Sequence, residues 1–486
     1  MSANGLEAAA KAAIATADWA EAAVLFGRLV ALEPNQSRHW MNLALARTRA
    51  DGPLDPGTIG AYRRVLLLMP GHGRAWAGLA PSVGDRAWPR AVVAGDGRTL
   101  TLKTAAAVAQ TEGRADLAAC WLDRYLTVEP GDLQARTNRA MTRVELGRID
   151  DALDDLDRVL DTNPGDARAR YTRGWIRLTR RDWAGWDDYL ARWAESDAET
   201  PEHVMDAPLW DGQTMAGGSL RLWGQFGVGD ELLFAGLVAE AAERAGVSTR
   251  LDCDPRLVPL FRRSFPNVEV LSKEDTDTVG CPVAAQASTA CLPAFLRRNL
   301  EAFPDRRSYL VADAERVAMW RARLADLGPP PYTGFAWRSG NARTAGRKSI
   351  PLDALSPLIQ ATGGTAISLQ YSPDQQEEAA ARARGALVPL ANPAADIRDA
   401  IDDLAAQITA LDRVVTISGI NAHLAGALGV PGIVLMQRDP LWFWFADGTD
   451  SPWYPSLTVL RQDDEGGWDQ ALSTAVRHLA QGGDPR

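Results

Sequence analysis

Ala135-Arg136-Thr137-Asn138-Arg139-Ala140, then Gly147-Arg148-Ile149-Asp150, then Ala152-Leu153 through Leu160 and Thr162-Asn163-Pro164, make one unit whose reading decides the first half of the chain. The first stretch opens a helix, Gly147 is suited to end it, and Asp150 is a plausible cap for the next. Ala152, Leu156, Val159 and Leu160 follow the i, i+4, i+7, i+8 spacing of a buried helical stripe. Outward from this unit, Leu32-Glu33-Pro34, Leu68-Met69-Pro70 and Val128-Glu129-Pro130 close helical stretches in the same way. Pro34 and Pro70 are 36 residues apart, Pro130 and Pro164 are 34 apart, and 60 separate Pro70 from Pro130.

A 34-residue period ending in Pro is the pattern of tetratricopeptide helix-turn-helix units. Residues 1 to about 200 are therefore expected to form an all-α solenoid. A degenerate unit or insertion is expected near 80–100, where Ala80-Pro81-Ser82-Val83-Gly84 and Gly95-Asp96-Gly97 interrupt the helices. Terminal repeats must cover an open apolar end, so Trp183, Trp186 and Trp193 are read as its cap.

The whole chain has 486 residues and a net charge of −10, from 52 Lys+Arg against 62 Asp+Glu. A hydrophobic fraction of 46% excludes wholesale disorder, and the acidic balance argues against a general nucleic-acid binder. No stretch approaches the ~20 apolar residues of a membrane span. Glu7, Lys11 and Asp18 interrupt the N-terminal stretch where an export signal needs an apolar run, so a cytoplasmic location is expected. Cys120, Cys253, Cys281 and Cys291 contain no CxxC pair and fit free thiols.

After Pro201 the pattern changes. Residues 201–218, with Pro208-Leu209-Trp210-Asp211-Gly212 and Gly217-Gly218, read as a linker. Strands are then expected from 220, and at 249–252, 268–271, 333–337, 365–369, 413–417, 431–435 and 457–460. Helices are expected between most of them, at 231–244, 314–327, 397–411 and 422–428. Strands alternating with helices imply parallel sheets. Two Rossmann-type halves are predicted, 219–328 and 329–486, divided near Pro329-Pro330-Pro331. In such folds ligands sit beyond the carboxyl ends of strands.

Three strand-end loops carry candidate chemistry. Trp223 to Glu231 holds Gly224, Gly227 and Gly229, which permit close approach of a ligand, and Asp230 at a helix start, equally readable as a cap. Arg338, Asn341, Arg343, Arg347 and Lys348 gather cations and an amide in the loop after the 333–337 strand, suiting a phosphate or pyrophosphate better than bare solvent. The third loop leads into a helix with Asn421, Ala422 and His423 in its first turn, where N–H groups and a partial positive charge can meet a phosphate. Asp252-Cys253-Asp254 has the form of a metal-holding pair but lacks an identifiable third ligand, so no metal is expected there.

Taken together, these stretches resemble bacterial proteins in which tetratricopeptide repeats are fused to a heptosyltransferase-like glycosyltransferase of GT-B fold. The similar segments run in order from Pro208-Leu209-Trp210-Asp211-Gly212, through Gly227-Val228-Gly229-Asp230-Glu231 and Trp337-Arg338-Ser339-Gly340-Asn341, to 403–412, His423 to Gly429, and Ser451-Pro452-Trp453-Tyr454-Pro455. A similar fusion occurs in alphaproteobacterial flagellin glycosyltransferases, where the repeats recruit the protein acceptor. The resemblance implies inverting, metal-independent transfer of a sugar from a nucleotide-sugar co-substrate to Ser/Thr of a protein, with no other cofactor. It places the general base on Asp230, in the substrate loop with Gly227, Gly229 and Glu231. It places donor diphosphate contacts on Arg338, Asn341, Arg343, Arg347 and Lys348, and on Asn421, Ala422 and His423. In those enzymes an Asp normally stands five residues before the His, where this chain has Ser418. A catalytically inactive scaffold and a transferase for surface saccharides are the alternative readings.

Overall fold

A computed structural model describes residues 2–480 apart from 54, 70–71, 84–97, 112, 192–206, 275–282, 341–344, 371–378, 381–382, 384–387, 390–399, 439–440 and 464. The chain divides into two compact units, Met1–Ala169 and Arg170–Arg486.

The first unit is a series of helices in which each packs on the next: α1 (Ala3–Ala15), α2 (Trp19–Leu32), α3 (Ser37–Ala50), α4 (Pro56–Leu68), α5 (Gly73–Val83), α6 (Arg98–Thr111), α7 (Ala115–Val128), α8 (Leu133–Glu145) and α9 (Ile149–Thr162). The expected tetratricopeptide-like helical pairs are thus present. Several starts are fixed by side chains, as where Asp132 accepts the Ala135 N–H at 2.9 Å. Gly147 follows α8 in the left-handed region, at φ +72°. The cap expected at Asp150 is not formed. Arg148 occupies that position without a side-chain cap bond, its guanidinium pairing instead with Asp151, and Asp150 lies in the first turn, where the helix dipole favours a carboxylate.

One feature of the repeat was not foreseen. Arg136, Arg139 and Arg143 lie on one face of α8 and converge on buried Asp155 of α9, at 3.3, 2.6 and 2.8 Å. Thirty-four residues on, Arg170, Arg173 and Arg177 of α10 (Ala167–Thr179) converge in the same way on buried Asp188 of α11 (Gly185–Tyr189), at 3.3, 2.6 and 3.4 Å. One period earlier the equivalent positions on α6 are Leu102, Ala105 and Ala109, all buried and apolar.

The second unit holds two parallel sheets. The first has the order β3-β2-β1-β4, with β1 (Ser219–Trp223), β2 (Ser248–Cys253), β3 (Glu269–Ser272) and β4 (Val283–Ser288). The second has the order β10-β9-β8-β5-β6-β7, with β5 (Tyr332–Ala336), β6 (Thr365–Ser368), β7 (Val388–Pro389), β8 (Arg413–Ile417), β9 (Gly432–Met436) and β10 (Leu457–Arg461). β4 and β7 were not anticipated. β4 reads Val-Ala-Ala-Gln-Ala-Ser, with one β-branched residue and no alternation to mark it. The helix expected over 231–244 is two helices, α12 (Val228–Ala235) and α13 (Val238–Ala245), parted at Gly236.

Of the tryptophans assigned to a solenoid cap, Trp183 and Trp186 pack elsewhere. Trp186 is fully buried in the core of the second unit. Its indole N–H donates to the Arg297 carbonyl at 2.8 Å, and its ring meets Trp442 edge-on at 5.0 Å. Trp183 packs on Phe303 and Phe445. Trp193 lies outside the described residues. A solenoid end and a sheet body both need aromatic cover, and the repeat period does not say which receives it.

Candidate functional site

The loop after β1 turns through Phe226, at φ +66°, into α12. Gly227 is the N-cap and Asp230 the third helical residue, whose carboxylate accepts the Gly227 N–H at 3.3 Å. The reading of Asp230 as a cap therefore holds in part. Its carboxylate also favours the charged form of Lys348 and pushes the Tyr454 phenol further up. The glycines make room for the protein's own side chains. A Cβ on Gly224 would fall 2.3 Å from the Glu231 carboxylate, and one on Gly229 would fall 3.1 Å from the His423 ring. Glu231 is buried. It accepts the Asp254 N–H at 2.8 Å and pairs with Lys273 at 3.1 Å, tying the ends of the first sheet's strands together. Burial pushes its carboxyl upward, against these bonds.

α20 (Ile420–Leu428) follows β8 and packs against α12. Its N-cap, Gly419, provides no side-chain bond. Asn421 is buried and anchored through Nδ2 to the Leu369 carbonyl at 3.4 Å, while its Oδ1 has no partner among the described residues. Ala422 is buried, and His423 is buried with Nδ1 2.8 Å from the Tyr454 hydroxyl. Tyr454 is hydrogen-bonded to Tyr309, which donates to the Leu232 carbonyl at 2.8 Å. Burial first, and the Lys348 charge second, hold the His423 imidazole down to about 3, so the ring is neutral near pH 7. Burial likewise lowers Lys348.

The carboxyl ends of the two sheets face a cavity of about 220 Å³. It is lined by Val228, Gly229 and Arg256 from the first sheet's loops, and by Arg338, Ser339 and the turn from Thr416 to Asn421 from the second's. The Arg338 N–H donates to Gln370 Oε1 at 2.9 Å and the Ser339 N–H to Ser349 Oγ at 3.1 Å, which folds the basic loop back on itself. Ser418, where the resembled enzymes carry Asp, donates to Gln437 Oε1 at 2.9 Å. Arg347 and Lys348 line a second cavity, of about 430 Å³, with Trp175, Gln437, Arg438, Leu441, Gln462 and Glu465. The expected phosphate-binding cations are thus divided between two cavities, and the Lys348 charge is felt by both Asp230 and His423. Asn341 and Arg343 lie outside the described residues.

Arg256, Gln370, Tyr309 and Gln437 were missed. Arg256 and Gln437 stand just beyond the carboxyl ends of β2 and β9, a positional signal the sequence did carry. The Asp252/Asp254 pair is accounted for within the protein. Asp252 is held by Arg221 at 2.5 Å and Arg250 at 2.6 Å, and Asp254 by Arg256 at 2.8 Å. Among the described residues, no helix is long and apolar enough to cross a membrane.

Protein FlbA of Caulobacter vibrioides (strain ATCC 19089 / CIP 103742 / CB 15) is 32% identical over 317 residues, 61% of this chain and 52% of that protein. The chain therefore spans about half the length of the curated relative it matches. No family profile matches the chain. Similar solved structures include a MamA protein (TM-score 0.28, 15% identity, 34% of this chain and 94% of that one). YrrB, a tetratricopeptide protein with an unusual peptide-binding site, has a TM-score of 0.27 at 19% identity, over 34% of this chain and 90% of that one. A tetratricopeptide repeat protein from Parabacteroides merdae ATCC 43184 has a TM-score of 0.33 at 14% identity, over 40% of this chain and 80% of that one.

Proposed function

We propose that the chain is an inverting, metal-independent glycosyltransferase of GT-B organisation. It would move a sugar from a nucleotide-sugar donor to a Ser or Thr of a protein held in the groove of the repeats, with flagellin, the acceptor of the resembled fusions, as the first candidate. One observation carries the reading. The carboxyl ends of two parallel sheets share a cavity that combines arginines, an uncapped helix N-terminus and the adjacent Asp230. The donor diphosphate sits against the first-turn N–H groups of α20 with Arg338 beside it. Asp230 takes the hydroxyl proton as the oxygen attacks the anomeric carbon from the face opposite the phosphate. The carbon–oxygen bond to the phosphate breaks, its electron pair leaves on the diphosphate, and Arg338, Lys348 and the helix N-terminus stabilise that charge.

A second reading, an inactive nucleotide- or partner-binding scaffold, is favoured by Ser418, whose hydroxyl is engaged by Gln437. Intact-mass measurement of flagellin from a strain with the gene deleted, and from one restored with Asp230→Asn, separates the two. Transferase action requires loss of a glycan mass in both strains. A glycan that persists in the deletion strain removes flagellin as acceptor, and one restored fully by Asp230→Asn removes Asp230 as base.

A further inference from the structure

The 430 Å³ cavity lies beyond the carboxyl ends of β9 and β10, next to the basic turn α17 (Ala345–Lys348). Its chemistry is mixed in a specific way. Arg347, Lys348 and Arg438 stand against one carboxylate, Glu465, so the space favours an anion. Two amides are pinned by the protein. Gln437 Oε1 accepts from Ser418, and Gln462 Oε1 accepts the Arg438 N–H at 2.9 Å. With its oxygen so occupied, Gln462 turns its NH2 to whatever lies beside it, which calls for an acceptor.

The apolar part of the wall is Leu441 and Trp175, the latter half-buried on α10, the helix that carries the second arginine triad. A flat aromatic surface, an amide donor and cations running toward Lys348 match a planar base joined to phosphate. Simple phosphate would use only the cations, and an acidic peptide would leave the indole without purpose.

We propose that this cavity is the nucleoside subsite, in which the base stacks on Trp175 and its edge accepts from Gln462. The phosphates then point along Arg347 and Lys348 toward Asp230. The repeat-like helix α10 thus supplies part of the nucleotide site. This inference rests on the nucleotide-sugar reading above and deepens it.

Titration calorimetry of the full chain with UDP, ADP, GDP and CDP, and separately with inorganic pyrophosphate, tests it without any transfer assay. At least one nucleotide is expected to bind. Trp175→Ala should weaken that nucleotide about tenfold to a hundredfold, the usual worth of one stacked base. Trp175→Phe should weaken it less than about fivefold, since the stack survives, and neither change should move pyrophosphate affinity. Nucleotide binding that ignores Trp175→Ala overturns the subsite and leaves the transferase reading standing. Equal loss of nucleotide and pyrophosphate in Trp175→Ala, with Trp175→Phe normal, also overturns it, because Trp175 would then only support the basic turn. Failure of all four nucleotides to bind the unaltered protein sinks both readings.

Discussion

Two helix starts face the site, and they are built in opposite ways. α12 closes on itself: Asp230 accepts the Gly227 N–H, and the neighbouring Glu231 is buried against Asp254 and Lys273. α20 begins at a glycine with no side-chain cap. Both follow a strand and both are rich in small residues, so they look alike as sequence. The difference lies in whether the protein satisfies its own helix terminus or leaves it for something else. Under the proposed function, the first start holds a base in place and the second receives the anion.

The sharpest way to break this contrast is at Asp230. Asp230→Asn keeps an acceptor for the Gly227 N–H and should cost about 10²–10⁴ in transfer rate, as loss of a general base does. A normal rate would make Asp230 a cap and nothing more. Next in size is Glu231→Ala, which leaves the Asp254 N–H and Lys273 without their shared carboxylate. About 3 kcal/mol of unfolding free energy should be lost in urea titration. A loss well under 1 kcal/mol would show that the first start does not depend on its buried carboxylate.

The third prediction concerns the neutral His423. Its folded value lies below its ordinary one, so between pH 6.5 and about 3 the unfolded chain binds a proton that the folded protein refuses. Stability from this group is complete above pH 6.5 and falls as pH drops, at roughly 1 kcal/mol per pH unit. His423→Gln should flatten the pH dependence of Tm between pH 6.5 and 4.5; an unchanged slope would place a proton on the folded imidazole.

The smallest effect is expected at Asn421. Asn421→Asp sets a carboxylate oxygen against the Leu369 carbonyl that Nδ2 now bonds, so stability should fall by about 1 kcal/mol, while the added charge weakens pyrophosphate binding. Tighter pyrophosphate binding in that variant would show that anions enter elsewhere.

Much of the fold was legible because it is written in periodicity. The Pro-terminated 34-residue spacing marked the helical pairs, and runs such as Arg413–Ile417 and Leu457–Arg461 marked buried parallel strands. The alanine-rich β4 has no such signature, and only its pairing with β1 makes it a strand. For the site, the strand-end rule led to Asp230, Arg338 and Asn421, since position beyond a strand is a property of sequence order. The division of the basic loop between two cavities was not legible. It depends on how Ser339 and Ser349 fold the loop back, and on Trp175, which precedes Arg347 by more than 170 residues. Nor did Gly224 and Gly229 disclose that their room is taken by Glu231 and His423.

The last helical pair carries one more consequence. α1 to α9 are held largely by neighbours close along the chain, so they can gain their packing in the order in which they are synthesised. α10 and α11 repeat the arginine triad of the pair before them, yet their anchors come much later: Arg297 for Trp186, Trp442 for its ring, and the Ala446 N–H for the Thr179 carbonyl. During translation this pair must wait, with Trp186 not yet fully covered, until about another 260 residues have emerged, and the completion of β9 and the loop beyond it sets the earliest moment at which α10 can lock in place.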